Sequence, residues 1–191
     1  MKVLGLAGSP LRDGNTDILL AEMLKGAVSK GAEVHTINLS ELNIGPCTHC
    51  EACLIKGECK FHDDMQSVYR AMEEADYLVL ASPLHFMGVT AQMKLMIDRC
   101  QAIWARKYIL KIPPLGDRRK RKGFFISVGG QRTIANLFEG AIVTVKSLFR
   151  SMDVEYAGDL LFPGIDAKCD ILNSPEALNK AFEAGRNLVE N

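Results

Sequence analysis

Short apolar runs that alternate with longer amphipathic segments constrain the fold of this chain more than any other sequence feature. Such runs are typical of strands buried on both faces, and the 3.6-residue period of the other segments is typical of helices that cover a sheet. The predicted strands are 2–7, 34–39, 77–81, 123–128 and 154–161, and the predicted helices are 16–30, 63–75, 90–107, 134–151 and 174–190. This alternation predicts an α/β fold with a doubly wound, five-stranded parallel sheet in the order 2-1-3-4-5 and helices on both faces.

Length and charge narrow the class of protein further. The 191 residues suffice for one domain, 1–191, with a cysteine-rich loop at 42–62. Because 23 basic residues balance 23 acidic ones, we expect neither nucleic acid nor an anionic membrane as a partner. No apolar run reaches the roughly 20 residues of a membrane span. Residues 1–10 read as a first strand and not as a signal peptide, so we expect a cytoplasmic protein.

The loop after the first strand has the composition of a phosphate-binding turn. In doubly wound sheets, ligands bind beyond the carboxyl ends of the strands, where the strand order reverses. A turn of small residues that opens a helix offers backbone N–H groups and a favourable dipole to an anion. The candidate residues are Ser9, Arg12, Gly14, Asn15 and Thr16. The alternative is a polar strand-to-helix turn, with Asn15 or Thr16 as the helix cap.

The loop after the third strand places apolar and aromatic residues at the predicted mouth of the same crevice. Its candidate residues are Pro83, Leu84, His85, Phe86, Met87 and Gly88. A flat aromatic ring such as isoalloxazine binds against an apolar wall with backbone N–H groups at its polar edge. His85 is the one catalytic candidate: it could stack on the ring or donate a proton, and the alternative is a packing histidine at a loop tip.

A third loop, after the fourth strand, contains Gly129 and Gly130. It lies on the same edge of the predicted sheet, where it could line the ring or admit a substrate. The alternative is an ordinary glycine turn.

Four of the six cysteines lie within thirteen residues, at Cys47, Cys50, Cys53 and Cys59. The spacing C-x2-C-x2-C-x5-C can wrap the corners of a [4Fe–4S] cluster, and Gly57 would let the chain turn toward Cys59. The alternatives are a structural zinc site, which more often uses two separated C-x2-C pairs, and thiols without a metal. The remaining cysteines, Cys100 and Cys169, are predicted to pack as small hydrophobic residues.

Taken in order, these motifs resemble those of the NAD(P)H-dependent FMN reductase group of the flavodoxin-like superfamily. The resemblance lies in Gly8-Ser9-Pro10, Gly14-Asn15-Thr16, Ser82-Pro83 and Thr90-Ala91-Gln92-Met93-Lys94 to Asp98-Arg99. With its cysteine loop, the chain is most similar to the iron–sulfur flavoproteins of that group.

The resemblance implies which residues hold which cofactor. The phosphate of FMN would sit at Ser9, Asn15, Thr16 and Arg12, and the loop from Pro83 to Gly88 would border the isoalloxazine ring. The four cysteines would hold a [4Fe–4S] cluster, and the protein would be a homodimer or a homotetramer built as a dimer of dimers.

Three functions follow from these cofactors. The first is a flavin-dependent oxidoreductase that moves electrons between a ferredoxin or NAD(P)H donor and a small acceptor through FMN and the cluster. The second is a cluster-free NAD(P)H-dependent FMN or quinone reductase. The third is a redox sensor that uses the flavin and the cluster to report oxidation to a partner.

Two groups of charged residues are expected to have structural roles. Asp98 and Arg99 are predicted to form a local ion pair behind the second loop. Basic residues between 107 and 122 read as an exposed, solvated connection, although they could dock an acidic ferredoxin or the 2′-phosphate of NADPH.

Overall fold

The computed structural model describes residues 1–190, and the strands of this part of the chain form one parallel sheet. Its order is β2-β1-β3-β4-β5, as the sequence predicts. The strands are β1 (Lys2–Ala7), β2 (Glu33–Asn38), β3 (Tyr77–Ala81), β4 (Arg121–Gly129) and β5 (Val154–Pro163).

Alternating side chains on the strands supply two separate cores, one on each face of the sheet. In β1, Leu4 and Leu6 enter one core, whereas Val3 and Ala7 enter the other. This is why the central strands read as continuous apolar runs.

Helices cover both faces. One face carries α1 (Asn15–Val28) and α7 (Pro175–Glu190). The helices on the other face are α3 (Met65–Glu74), α4 (Ala91–Arg99), α5 (Gln101–Tyr108) and α6 (Glu139–Met152). Since a helix that follows a parallel strand returns antiparallel to it, α4 begins at the carboxyl edge of the sheet and runs away from it.

Two helical predictions are corrected. The single helix predicted over 90–107 is divided into α4 and α5, because Cys100 has ψ 4° and interrupts the helical backbone. The predicted start of α6 at Ile134 is too early, because Asn136 adopts a left-handed φ of 58° and turns the chain before Glu139.

The segment predicted as an irregular loop over 42–62 contains one helical turn, α2 (Cys53–Lys56). That turn ends at Gly57, which adopts a left-handed φ of 71°. Beyond it, Asp64 is the N-cap residue of α3 and makes no side-chain cap bond. The neighbouring Asp63 accepts the backbone N–H of Met65 at 3.2 Å, and the Gln66 side chain donates to the carbonyl of Phe61.

The basic stretch is less exposed than the sequence suggests. Arg121 is 3% exposed and donates to the carbonyl oxygens of Glu73 and Ala75. Arg119 pairs with Asp76 and with Asp117. These residues fix the connection into β4, so only part of the basic stretch is a solvated surface.

Candidate functional site

The carboxyl edge of the sheet holds an open cleft of about 250 Å³. Three loops reach it, after β1, β3 and β4, as predicted from the strand order. The candidate residues that the structure brings together here are Ser9, Gly14, Asn15, Thr16, Pro83, Leu84, His85, Gly129 and Gly130.

Hydrogen bonds between the loops hold the cleft in shape. Thr90 caps α4 by accepting the N–H of Met93, and its hydroxyl donates to the carbonyl of Gly8. Ser127 donates to the carbonyl of Ser82 at 2.7 Å. The first and second loops are therefore tied together at the start of α4, and the second loop is tied to β4.

The first turn of α1 has the features of an anion site. Gly14 occupies the N-cap position and the first intrahelical bond runs from Ile18 N–H to its carbonyl, so the N–H groups ahead of Ile18 lack intrahelical acceptors. Thr16 is 1% exposed, and its hydroxyl oxygen has no hydrogen-bond partner within residues 1–190. A buried polar atom without a partner is rare, and an anion at the helix N-terminus would satisfy it.

Asn15 has a role that the sequence did not indicate. Its amide nitrogen donates to Ala167 O at 2.9 Å, and its amide oxygen accepts Ile171 N–H at 3.0 Å. The cap predictions for Asn15 and Thr16 are wrong, since Gly14 is the N-cap residue and makes no side-chain cap bond. Asn15 instead fixes the loop after β5 against the cleft.

Four candidates do not line the cleft, namely Arg12, Phe86, Met87 and Gly88. Arg12 is ion-paired with Glu41. Phe86 and Met87 form a two-residue turn with φ values of 50° and 63°, closed by the paired backbone bonds of His85 and Gly88. The turn directs Phe86 into solvent, where it is fully exposed, and His85 remains at the cleft edge.

The loop after β5 also lines the cleft, which the sequence analysis missed. Its lining residues are Ile165, Asp166 and Lys168. The carboxyl end of β5 lies at the same sheet edge as the other loops, so the strand order itself could have indicated it. Lys168 adds a positive charge to the rim.

The four clustered cysteines line a second cavity, of about 200 Å³. Cys47 and Cys50 are exposed, whereas Cys53 and Cys59 are half-buried. Aromatic and apolar side chains complete the wall, among them Phe61, Trp104 and Ile109. Within residues 1–190, no three potential ligands stand in a preassembled metal-binding arrangement.

The thiols at this cavity differ in acidity. A hydrogen bond from the backbone N–H of Ala52 lowers the pKa of Cys50. Burial raises the pKa of Cys53, and the neighbouring thiols of Cys59, Cys47 and Cys50 raise it further. The other three sulfur atoms therefore lie close enough to Cys53 to act on it electrostatically.

A buried arginine also lines the cysteine cavity. Arg99 does not pair with Asp98, which instead accepts Lys94 at 2.7 Å, so the predicted local ion pair is wrong. The guanidinium binds both oxygens of Asp63, at 2.5 and 3.0 Å, and the carbonyl of Gly45 at 2.9 Å. A sequence signal existed, since Arg99 follows Met96 by three residues on the buried face of α4.

The cleft and the cysteine cavity lie at opposite ends of α4. Thr90 caps the helix at the cleft, and Arg99 ends it at the cysteines. The nine residues of α4 span about 14 Å. The cysteine loop leaves the sheet at the cleft edge, but its helical turn α2 packs against α5 and Asp63 binds Arg99 at the end of α4. The two sites are therefore separate within residues 1–190.

Among residues 1–190, none of the helices combines the length and the apolar character that crossing a membrane requires.

Comparison with known proteins finds relatives in sequence and in structure. An iron–sulfur flavoprotein of Methanocaldococcus jannaschii is 39% identical over 103 residues, which is 54% of this chain and 53% of that protein. One of Archaeoglobus fulgidus is 46% identical over 99 residues, 52% of this chain and 45% of that protein. These matches span about half the length of the relatives. A solved structure of a flavone reductase superposes with a TM-score of 0.76 at 26% identity, covering 100% of this chain and 62% of that one.

The family match covers most of the chain. Residues 1–143 match the NADPH-dependent FMN reductase family, a region that runs from β1 into α6 and includes the first three loops of the cleft and all four clustered cysteines. The flavodoxin-like fold and the family predicted from the sequence motifs are both confirmed. The chain belongs to the NADPH-dependent FMN reductase family.

Proposed function

We propose that this protein is a redox enzyme that binds FMN in the cleft and a [4Fe–4S] cluster at the four cysteines. It would exchange electrons between a ferredoxin or NAD(P)H donor and a small acceptor. The single observation that carries the proposal is the convergence of all four cysteines on one cavity, apart from a cleft built for an anion. The names of the relatives, which are iron–sulfur flavoproteins, support it.

The cleft fits FMN by several features. The buried Thr16 hydroxyl and the N–H groups of the first α1 turn would hold the phosphate, and Lys168 adds charge at the rim. A Cβ on Gly130 would lie 2.8 Å from Oδ1 of Asp166, so the two loops after β4 and β5 approach each other closely at the cleft. His85 stands at the edge, where it could stack on the ring or donate a proton.

The cysteine cavity fits an iron–sulfur cluster by its donor set. Four thiols, an apolar wall and a buried guanidinium suit a group with net negative charge that is bound by thiolates. Because the thiols are not preassembled, the exposed segment that carries Cys47 and Cys50 must close onto the group. Positive φ values at His49 and Glu51 give this segment the backbone turns it has around Cys50.

FMN and the cluster would supply different kinds of electron transfer. Bound FMN accepts electron pairs or single electrons, and a cluster carries one electron at a time. The residues of the chain would hold these groups at opposite ends of α4, with Leu84 in the wall of the cleft and Phe61 in the wall of the cavity. We further propose a homodimer or homotetramer, which would cover the exposed Phe86 and Val143 side chains.

The second candidate function is a reductase without a cluster. The lack of a preassembled metal arrangement within the described chain favours it. So does a 26% identical relative of Bacillus subtilis, a putative NAD(P)H-dependent FMN-containing oxidoreductase that matches over 95% of this chain.

Single-turnover reduction of the flavin separates the two functions. We expect Cys53→Ser to slow flavin reduction by a one-electron donor, such as reduced ferredoxin, by at least about tenfold because the cluster is lost. The control is Cys169→Ser, since Cys169 lies outside the cysteine cavity. An equal rate in the wild type and Cys53→Ser would leave only the cluster-free reductase.

A further inference from the structure

Arg99 stands out because it is a buried charge in the wall of the cysteine cavity. Its side chain is 1% exposed, and burial of a guanidinium is costly unless its charge is compensated. Asp63 compensates it from one side with two hydrogen bonds. On the other side lies the cavity of the four cysteines.

One nitrogen of this guanidinium has no hydrogen-bond acceptor within residues 1–190. Nη1 and Nη2 bind Asp63 and Gly45, but Nε has no hydrogen-bond acceptor within residues 1–190. Arg99 and Cys59 both line the cysteine cavity. The Nε donor without an acceptor therefore belongs to a side chain that shares this wall with a cluster-ligand candidate.

The position of Arg99 is held from several directions. Tyr69 donates to its backbone carbonyl at 2.5 Å, and the Phe61 ring lies 5.2 Å from the guanidinium carbon. Asp63 also accepts the N–H of Gly45, so one carboxylate joins the start of the cysteine segment to α4. The positive charge is fixed in place before any group binds.

We propose that Arg99 is a positioning residue of the four-cysteine site, which holds a fixed positive charge against the thiolates and directs its free Nε–H toward Cys59. The inference rests on the proposed function, since it concerns the cluster at these cysteines. A fixed positive charge stabilises the more negative, reduced form of a thiolate-bound cluster and so raises its reduction potential. Asp63 sets the limit of this effect because it neutralises part of the charge.

The test is a potentiometric titration of the anaerobically loaded, full-length protein, in which the reduced cluster is followed by electron paramagnetic resonance. In Arg99→Gln, we expect the ratio of reduced to oxidised cluster at a given potential to fall about tenfold, a shift of about 59 mV for one electron. In Asp63→Asn, we expect the ratio to rise, because the charge of Arg99 is then less compensated. A purely structural clamp would loosen the segment in both variants and would shift both potentials in the same direction.

Two further variants separate charge from folding. Arg99→Lys keeps the charge and should stay within about threefold of the wild type. Arg106→Gln is the matched control, since Arg106 also anchors this segment, through Gly57 O at 2.7 Å, but lies outside the wall of the cysteine cavity. We expect its potential to stay within about twofold of the wild type.

Cluster retention and reduction potential in these variants distinguish a role of the charge from a role in folding. Loss of the cluster in Arg99→Gln with retention in Arg99→Lys would support a role for the charge, whereas loss in both would overturn it. Unchanged potentials in Arg99→Gln and Asp63→Asn, with a wild-type cluster present, would overturn this inference and leave the proposed function standing. A wild-type protein without iron and sulfide after loading would overturn both.

Discussion

Thr16 shows at the scale of a single residue how an unsatisfied atom points to a ligand. Its hydroxyl is buried without a partner, a state that costs about 1–3 kcal/mol in a protein interior. The neighbouring backbone N–H groups of α1 lack intrahelical acceptors as well. An anion at this point would satisfy all of these donors together.

Replacement of Thr16 by valine removes this hydroxyl and keeps the shape of the side chain. We expect Thr16→Val to weaken FMN binding roughly tenfold to a hundredfold, since a hydrogen bond to a charged group contributes about 1.5–3 kcal/mol. The stability of the FMN-free protein should be unchanged or higher, because no hydrogen bond within residues 1–190 is lost. The measurement is flavin fluorescence quenching, together with urea unfolding of the FMN-free protein.

Thr16→Ser is the matched control because it keeps the hydroxyl, and it should bind FMN within a fewfold of the wild type. Equal affinity in the wild type and Thr16→Val would contradict the assignment of this turn to the phosphate.

At this scale, sequence reasoning found residues by composition but could not see their partners. Arg12 was grouped with the phosphate loop by its position, and in the structure its side chain pairs with Glu41. Arg99 was paired with its neighbour Asp98, whereas the residue that binds it, Asp63, lies 36 positions away. Long-range partners depend on the tertiary fold, so a local pattern cannot supply them.

At the scale of elements, the contact between α1 and α7 is unusually close. A Cβ on Gly26 would lie 1.9 Å from the carbonyl oxygen of Phe182, and one on Gly185 would lie 1.8 Å from that of Met23. The two helices thus meet backbone to backbone at a pair of glycines.

We therefore expect Gly26→Ala to destabilise the protein by about 1–3 kcal/mol or more, even though alanine favours helices. The added methyl group meets backbone atoms, which can yield only if the helices separate. The measurement is the free energy of unfolding in urea for the FMN-free protein. The control is Gly45→Ala, where the nearest atom would be 3.8 Å away, and equal stabilities of the two variants would refute the close packing.

The elements were predicted better than the site. β1 and β3 were predicted at their observed bounds, because a buried strand between glycine and polar turns has a clear pattern. The break at Cys100 and the turn of helix at Cys53 were missed, since both depend on backbone angles and packing with no sequence period. The loop after β5 was missed because it contains no recognised motif, although the strand order places it at the cleft.

At the scale of the whole molecule, α4 separates the two candidate sites. Its N-terminus is tied to the first loop through Thr90, and its last residue, Arg99, is tied to the cysteine segment through Asp63. One rigid helix of about 14 Å thus sets the distance between the cleft and the cysteine cavity. Electrons would pass along this distance or between subunits of an oligomer.

The proposal that one chain holds both FMN and a [4Fe–4S] cluster is open to chemical analysis. The decisive measurement is the content of iron, acid-labile sulfide and FMN per chain after anaerobic purification, together with the visible spectrum. We expect one FMN, about four irons and about four sulfides per chain, with broad cluster absorption beneath the flavin bands. FMN without iron and sulfide, under conditions that protect clusters, would contradict the claim and would leave a simple flavin reductase.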